Sequence, residues 1–89
     1  MPTVHLLIKG KVQGVNYRAT AKGIATNLEL TGWVKNTAGD YVEAVVSGEN
    51  EAVQQFIEWC RHGPPAAVVI DVEVKPMPDI NFPTFSIVR

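Results

Sequence analysis

Eighty-nine residues with one cysteine, a net charge of −1 and 46% hydrophobic content describe one small globular domain, residues 1–89, of ordinary composition. They exclude an internal disulfide, a cysteine metal cluster and any general pull toward nucleic acid or an anionic membrane, so an anion bound here needs locally placed positive charge. No apolar run approaches the roughly 20 residues of a membrane span, and MPTVHLLIKG lacks the basic start of a signal peptide, so a cytoplasmic location is expected.

Val4, Leu6 and Ile8 alternate with His5, Leu7 and Lys9, the period of a strand. From Ala19 the period changes, and Ala21, Ile24, Ala25 and Leu28 share one face of a helix. TGWVKN, residues 31–36, predicts a short strand. TAGD is a turn, and residues 41–47 form the second arm of a hairpin with Val42, Ala44 and Val46 on one face. Val53, Phe56, Ile57 and Cys60 repeat the helical spacing, and HGPP supplies a glycine-then-proline stop. Val68, Ile70, Val72 and Val74 alternate with Val69, Asp71, Glu73 and Lys75, predicting a strand whose acidic side faces solvent. PMPDINFP connects it to TFSIVR, a last short strand with Phe85 and Ile87 on one face.

The order β-α-β-β-α-β with a short terminal strand predicts an α+β, ferredoxin-like two-layer sandwich. Its sheet is mostly antiparallel and both helices lie on one face. In that topology the third strand lies between the first and second. The fold hosts unrelated functions and does not choose among them.

VQGVNYR runs from the end of the first strand into the first turn of the first helix. N–H groups at a helix start lack internal partners, and the helix dipole makes that end positive. Gly14 can adopt backbone angles that fold successive N–H groups into an anion-sized concavity. Arg18 adds a planar fork matched to two phosphate oxygens. Lys9 and Lys11 add field rather than contact. Gly14 equally reads as corner punctuation and Arg18 as a solvated first-turn residue, so spacing alone leaves phosphate binding open. Neither a Walker loop nor a GxGxxG fingerprint is present.

GKVQGVNYR and GWVKNTAGDYVEAVVSG resemble the two signature segments of the acylphosphatases. The first matches Gly-x-Val-Gln-Gly-Val-x-Phe-Arg, with Tyr17 where phenylalanine is usual. The second matches Gly-Trp-Val-(Lys/Arg)-Asn at residues 32–36, and the interval from Arg18 to Gly32 also fits. GPPAAVV at residues 63–69 and the closing Phe85-x-Ile87 resemble the third segment and the tail. The resemblance implies a ferredoxin-like enzyme that hydrolyses the carboxyl–phosphate bond of acyl phosphates without metal, cofactor or covalent intermediate. It implies a phosphate loop of Gln13, Gly14, Val15, Asn16, Tyr17 and Arg18, with Arg18 binding substrate and Asn36 holding the attacking water. The partner implied is a small acyl phosphate, with neither nucleic acid nor membrane, and the chain is expected to be a monomer.

Three departures carry expectations. The family's glycine four residues after the asparagine is here Asp40, with Gly39 before it. The turn is therefore expected to use another geometry, with Gly39 at positive φ, and the aim of Asn36 depends on it. Glu29 replaces a common glycine after the first helix, predicting a weaker or differently shaped cap. The chain ends FSIVR where the family often ends Arg-Tyr, which separates Arg89 from the family's terminal arginine.

The chemistry implied asks little of a protein. The leaving carboxylate belongs to an acid of pKa about 4 and departs without a general acid. What remains is to shield the phosphate charge, fix its oxygens and place a water, which are tasks of positioning and electrostatics. Other candidates have simpler readings. Cys60 reads as a buried hydrophobe, His5 and His62 have no partner at triad or ligand spacing, and Trp33 and Trp59 read as packing groups. Asn16 and Thr20 suit a helix cap as well as a phosphate contact. Two other functions compete: a non-catalytic phosphate-binding module, supported by the exchanged glycine and aspartate, and an RNA binder. The charge and the scarcity of aromatic residues on the central strands disfavour the last.

Overall fold

The computed structural model describes residues 2–88. The elements are β1 (Thr3–Lys11), α1 (Tyr17–Asn27), β2 (Thr31–Asn36), β3 (Val42–Ser47), α2 (Asn50–His62), β4 (Val68–Met77) and β5 (Phe85–Val88). They form one sheet in the order β4-β1-β3-β2-β5. All pairings are antiparallel except β2 with β5. The third strand does lie between the first two, as the ferredoxin-like reading requires. Among the described residues, no helix is long and apolar enough to cross a membrane.

The predicted apolar stripes meet between sheet and helices. Leu6 and Ile8 of β1, Val42, Ala44 and Val46 of β3, and Val34 of β2 are buried against Ala21 and Ala25 of α1 and Val53, Phe56 and Cys60 of α2. Burying such side chains supplies most of the folding free energy, about 1.5–3 kcal/mol for each large one. The other sheet face carries polar pairs. His5 Nε2 lies 2.6 Å from Glu43 Oε2, Lys35 Nζ 3.6 Å from Glu43 Oε1, and Lys9 Nζ 2.9 Å from Glu73 Oε2. His5 holds the Glu43 carboxyl below its ordinary range. The β4–β5 connector is fastened to the sheet where the Ile80 N–H donates to Thr3 Oγ1 and the Gly32 N–H donates to the Thr84 carbonyl.

The regular alternation expected of β4 breaks at a bulge. Lys9 pairs with Asp71 but Gly10 pairs with Val69, so Ile70 is an extra residue. One inserted residue turns the following side chains to the opposite face. Val69 accordingly packs on the core, while Val68 and Ile70 are 57% and 73% exposed. Gly10 permits the bulge, since it has φ +128° and a Cβ there would lie 2.1 Å from the Val68 carbonyl oxygen.

Two turn expectations are corrected in part: positive φ does not fall on Gly39, and the cap at Glu29 is not differently shaped, while a weaker cap there stays an expectation. The left-handed residue of the β2–β3 turn is Asp40, φ 68°, and not Gly39. The closing bonds set this. The Thr37 N–H donates to the Tyr41 carbonyl, and Thr37 Oγ1 accepts from the N–H groups of Gly39 and Tyr41. They leave the corner just before Tyr41 to reverse the chain, and aspartate enters the left-handed region more readily than most residues.

Glu29 likewise keeps the shape of a glycine cap, with φ 59°. Its N–H donates to the Thr26 carbonyl and that of Leu30 to the Ala25 carbonyl, a Schellman motif. The substitution therefore costs strain rather than shape. Glu29→Gly is expected to stabilise the fold by about 0.5–1 kcal/mol, a melting-point rise of about 2–8 °C. Thermal unfolding followed by circular dichroism checks it.

Candidate functional site

β1 is antiparallel to β3 and β3 to β2, so β1 and β2 run the same way, and β5 runs parallel to β2. All three deliver their C-terminal ends to one side of the domain. There Ile8 and Asn36 flank Val42, two strand spacings or about 10 Å apart. Asn36 follows Val34 on the helix-covered face by strand alternation, and Ile87 stands beside Val34. The β1–α1 loop crosses this same end.

That loop winds with alternating handedness. Gly14 has φ 74° and Asn16 φ 65°, while Val15 between them does not have positive φ. Alternation of this kind turns successive N–H groups to one side, forming a nest. Asparagine bears the left-handed conformation at lower cost than most residues. Asn16 occupies the N-cap of α1, yet its side chain caps nothing, and no acidic residue lies in the first turn. Thr20 Oγ1 donates instead to the Asn16 carbonyl at 2.8 Å. Among the described residues, the N–H groups from Gly14 to Ala19 donate to no protein acceptor. Uncapped N–H groups at the positive end of a helix stabilise an anion.

Tyr17 anchors the corner from below. It is buried, its ring lies 5.2 Å from that of Trp59, and its hydroxyl donates to the Cys60 carbonyl at 2.8 Å. The hydroxyl that distinguishes it from phenylalanine thus ties the loop to the end of α2. Burial raises the Tyr17 phenol well above its usual range and pushes the Cys60 thiol up to about 12. Cys60 is therefore a neutral core group at physiological pH, as its helical spacing predicts.

A pocket of about 640 Å³ opens at this end, lined by Gly14, Val15, Asn16, Tyr17, Arg18 and Asn36 together with Val12, Ala19, Ala66 and Ile87. Arg18 and Asn36 thus share one cavity. Both are half-buried, and among the described residues neither side chain has a hydrogen-bond or ion-pair partner. Of the predicted loop, Gln13 alone stays off the wall. Its amide donates to the carbonyls of Thr37 and Tyr41. Lys9 and Lys11 also stay off the wall, and Lys9 is spent on Glu73 and the Tyr41 ring. His5 and His62 lie outside it, paired with Glu43 and Glu58. Arg89 lies outside the described residues. Among the described residues, no group of three His, Cys, Asp or Glu side chains is placed to hold a metal ion.

Sequence reasoning did not assign Ala66 or Ile87 to the site. Phe85-x-Ile87 marks Ile87 as inward-facing, but the parallel pairing that sets it beside Val34 has no local signal. Ala66 arrives through the α2–β4 loop, and only tertiary structure brings it there.

A family model described as Acylphosphatase matches residues 4–87. The acylphosphatase of Methylococcus capsulatus is 44% identical over 90 aligned positions, covering 100% of this chain and 98% of the relative. Two solved structures, acylphosphatases from Coxiella burnetii and Bacillus subtilis, both superpose with a TM-score of 0.95. They are 36% and 33% identical, covering 98% and 100% of this chain and 92% and 100% of theirs.

Proposed function

The chain belongs to the acylphosphatase family, hydrolases that split acyl phosphates into a carboxylate and inorganic phosphate; on that premise we propose how its residues divide the work. The N–H groups of residues 14–19 and the Arg18 guanidinium hold the terminal phosphate. Asn36 holds a water in line with the bond to the acyl oxygen. The single observation that carries this reading is the shared pocket, in which an unengaged guanidinium, an unengaged carboxamide and a row of free N–H groups face one cavity.

The water attacks phosphorus, the P–O bond to the acyl group breaks, and its electron pair leaves on the carboxylate. A carboxamide does not accept a proton at neutral pH, so the water's proton passes to a phosphate oxygen of the substrate. The loop and Arg18 meet the negative charge spread over the equatorial oxygens without reorganising, which is the largest lever available for such a reaction. Around them Val12, Val15, Ala19, Ala66 and Ile87 leave the acyl group beside uncharged surface. The reading extends to a monomeric single domain, residues 1–89, acting in the cytoplasm.

The test is hydrolysis of benzoyl phosphate, followed by ultraviolet absorbance, with a metal chelator present throughout. Full turnover under chelation is the expected result. Phosphate binding without turnover would instead favour the non-catalytic module, whose support in the exchanged turn residues is weakened by the left-handed backbone of Asp40.

A further inference from the structure

The β2–β3 turn follows directly after Asn36, so whatever fixes that turn fixes the carboxamide. Inside the hairpin, Thr37 does this through its N–H and its hydroxyl. One tether comes from outside. The Gln13 amide nitrogen lies 2.9 Å from the Thr37 carbonyl oxygen and 2.8 Å from the Tyr41 carbonyl oxygen. An amide NH2 has two hydrogens, and both are spent, one on each end of the turn. Among the described residues, these are the only side-chain hydrogen bonds that join the 12–16 loop to the 37–41 turn. Gln13 itself does not line the pocket, whereas Gly14, its neighbour, does.

We propose that Gln13 is a positioning residue: its carboxamide clamps the turn that directly follows Asn36 onto the loop that holds the phosphate, setting the distance between water and phosphorus. The inference rests on the roles assigned above to Arg18 and Asn36. β1 and β2 are not neighbours, because β3 separates them. Backbone pairing locks each strand to β3 and Thr37 closes the turn, but among the described residues no backbone hydrogen bond joins the 12–16 loop to that turn. Misplacement of about 1 Å in such a site costs on the order of 10²-fold in rate. A two-pronged donor on one loop, gripping two carbonyls of the other, supplies that link.

The experiment measures kcat for benzoyl phosphate and the inhibition constant of inorganic phosphate in four proteins: wild type, Gln13→Met, Asn36→Ala and the double variant. Gln13→Met keeps the length of the side chain and removes both donors. The expected result is a kcat about 10–100-fold lower for Gln13→Met, with phosphate inhibition changed less than about threefold. In the Asn36→Ala background the same change is expected to have no further effect on kcat, because Gln13 acts through Asn36. Two losses that multiply would overturn the proposal, as would a Gln13→Met enzyme within twofold of wild type.

Gln13→Glu guards against a variant that fails to fold. It keeps the shape but, when ionised, sets a carboxylate against two carbonyls; when protonated it regains one donor. Its activity relative to wild type is expected to rise as pH falls through the carboxyl titration, and a flat ratio counts against the clamp. If wild type itself does not turn over benzoyl phosphate, the functional reading fails rather than the clamp.

Discussion

Arg18→Ala is expected to lower kcat/KM for an acyl phosphate by about 10²–10³-fold, the usual consequence of losing one preorganised donor to a developing anion. The variant is expected to melt within about 4 °C of wild type. The second expectation gives the first its force. Arg18 is half-buried beside the uncapped start of α1, and among the described residues its guanidinium engages no acceptor. Removing it breaks no bond of the fold, and surface substitutions of that kind stay within about 0.5 kcal/mol. A cation held beside the positive end of a helix dipole is, if anything, an unfavourable placement in the empty protein. Inorganic phosphate inhibition should weaken along with turnover, because the same fork binds ground state and transition state. Arg18→Lys should recover little of this, since an ammonium gives a point charge in place of two parallel donors. An Arg18→Ala enzyme with turnover within tenfold of wild type would remove Arg18 from the phosphate site.

Much of this fold is local and was readable as such. The periods of Leu6 and Ile8, of Ala21 and Ala25, and of Phe56 and Cys60 each lie within one element, and each predicted face is buried. The β4 pattern misled because a bulge is a property of a strand pair, not of a strand. Gly10 on β1 makes room for Ile70 on β4, and residues 60 apart in sequence carry no joint signal. The two αL substitutions were visible as departures from the family pattern, but their outcome was not. Whether Glu29 and Asp40 reshape a turn or bear its strain depends on the hydrogen bonds around them, and these bonds held the shape. The candidate site was legible as two motifs. Their meeting was not, since the interval between Arg18 and Asn36 says nothing of how β3 sets their separation. Gln13 shows the same limit. Its place in the loop motif suggested a phosphate contact, while its side chain is directed across to the turn.

Asn36→Ala should separate binding from chemistry in a way that Arg18→Ala does not. Asn36 ends β2 on the helix-covered face and lines the pocket without a protein partner of its own. If its work is to hold a water, the ground-state phosphate loses no contact when it is truncated. kcat should then fall about 10²–10³-fold while KM and phosphate inhibition stay within about threefold, the signature of an interaction made only toward the transition state. Asn36→Asp is the sharper variant. It keeps the acceptor oxygen and the size but brings a carboxylate toward a phosphate dianion. It should lose kcat as the alanine does and also weaken phosphate binding, with the binding loss fading as pH falls through the carboxyl titration. A carboxylate able to serve as general base would do the opposite and raise turnover above that of Asn36→Ala as pH rises. That outcome would mean the water needs a base, and the assignment of its proton to the substrate would fall.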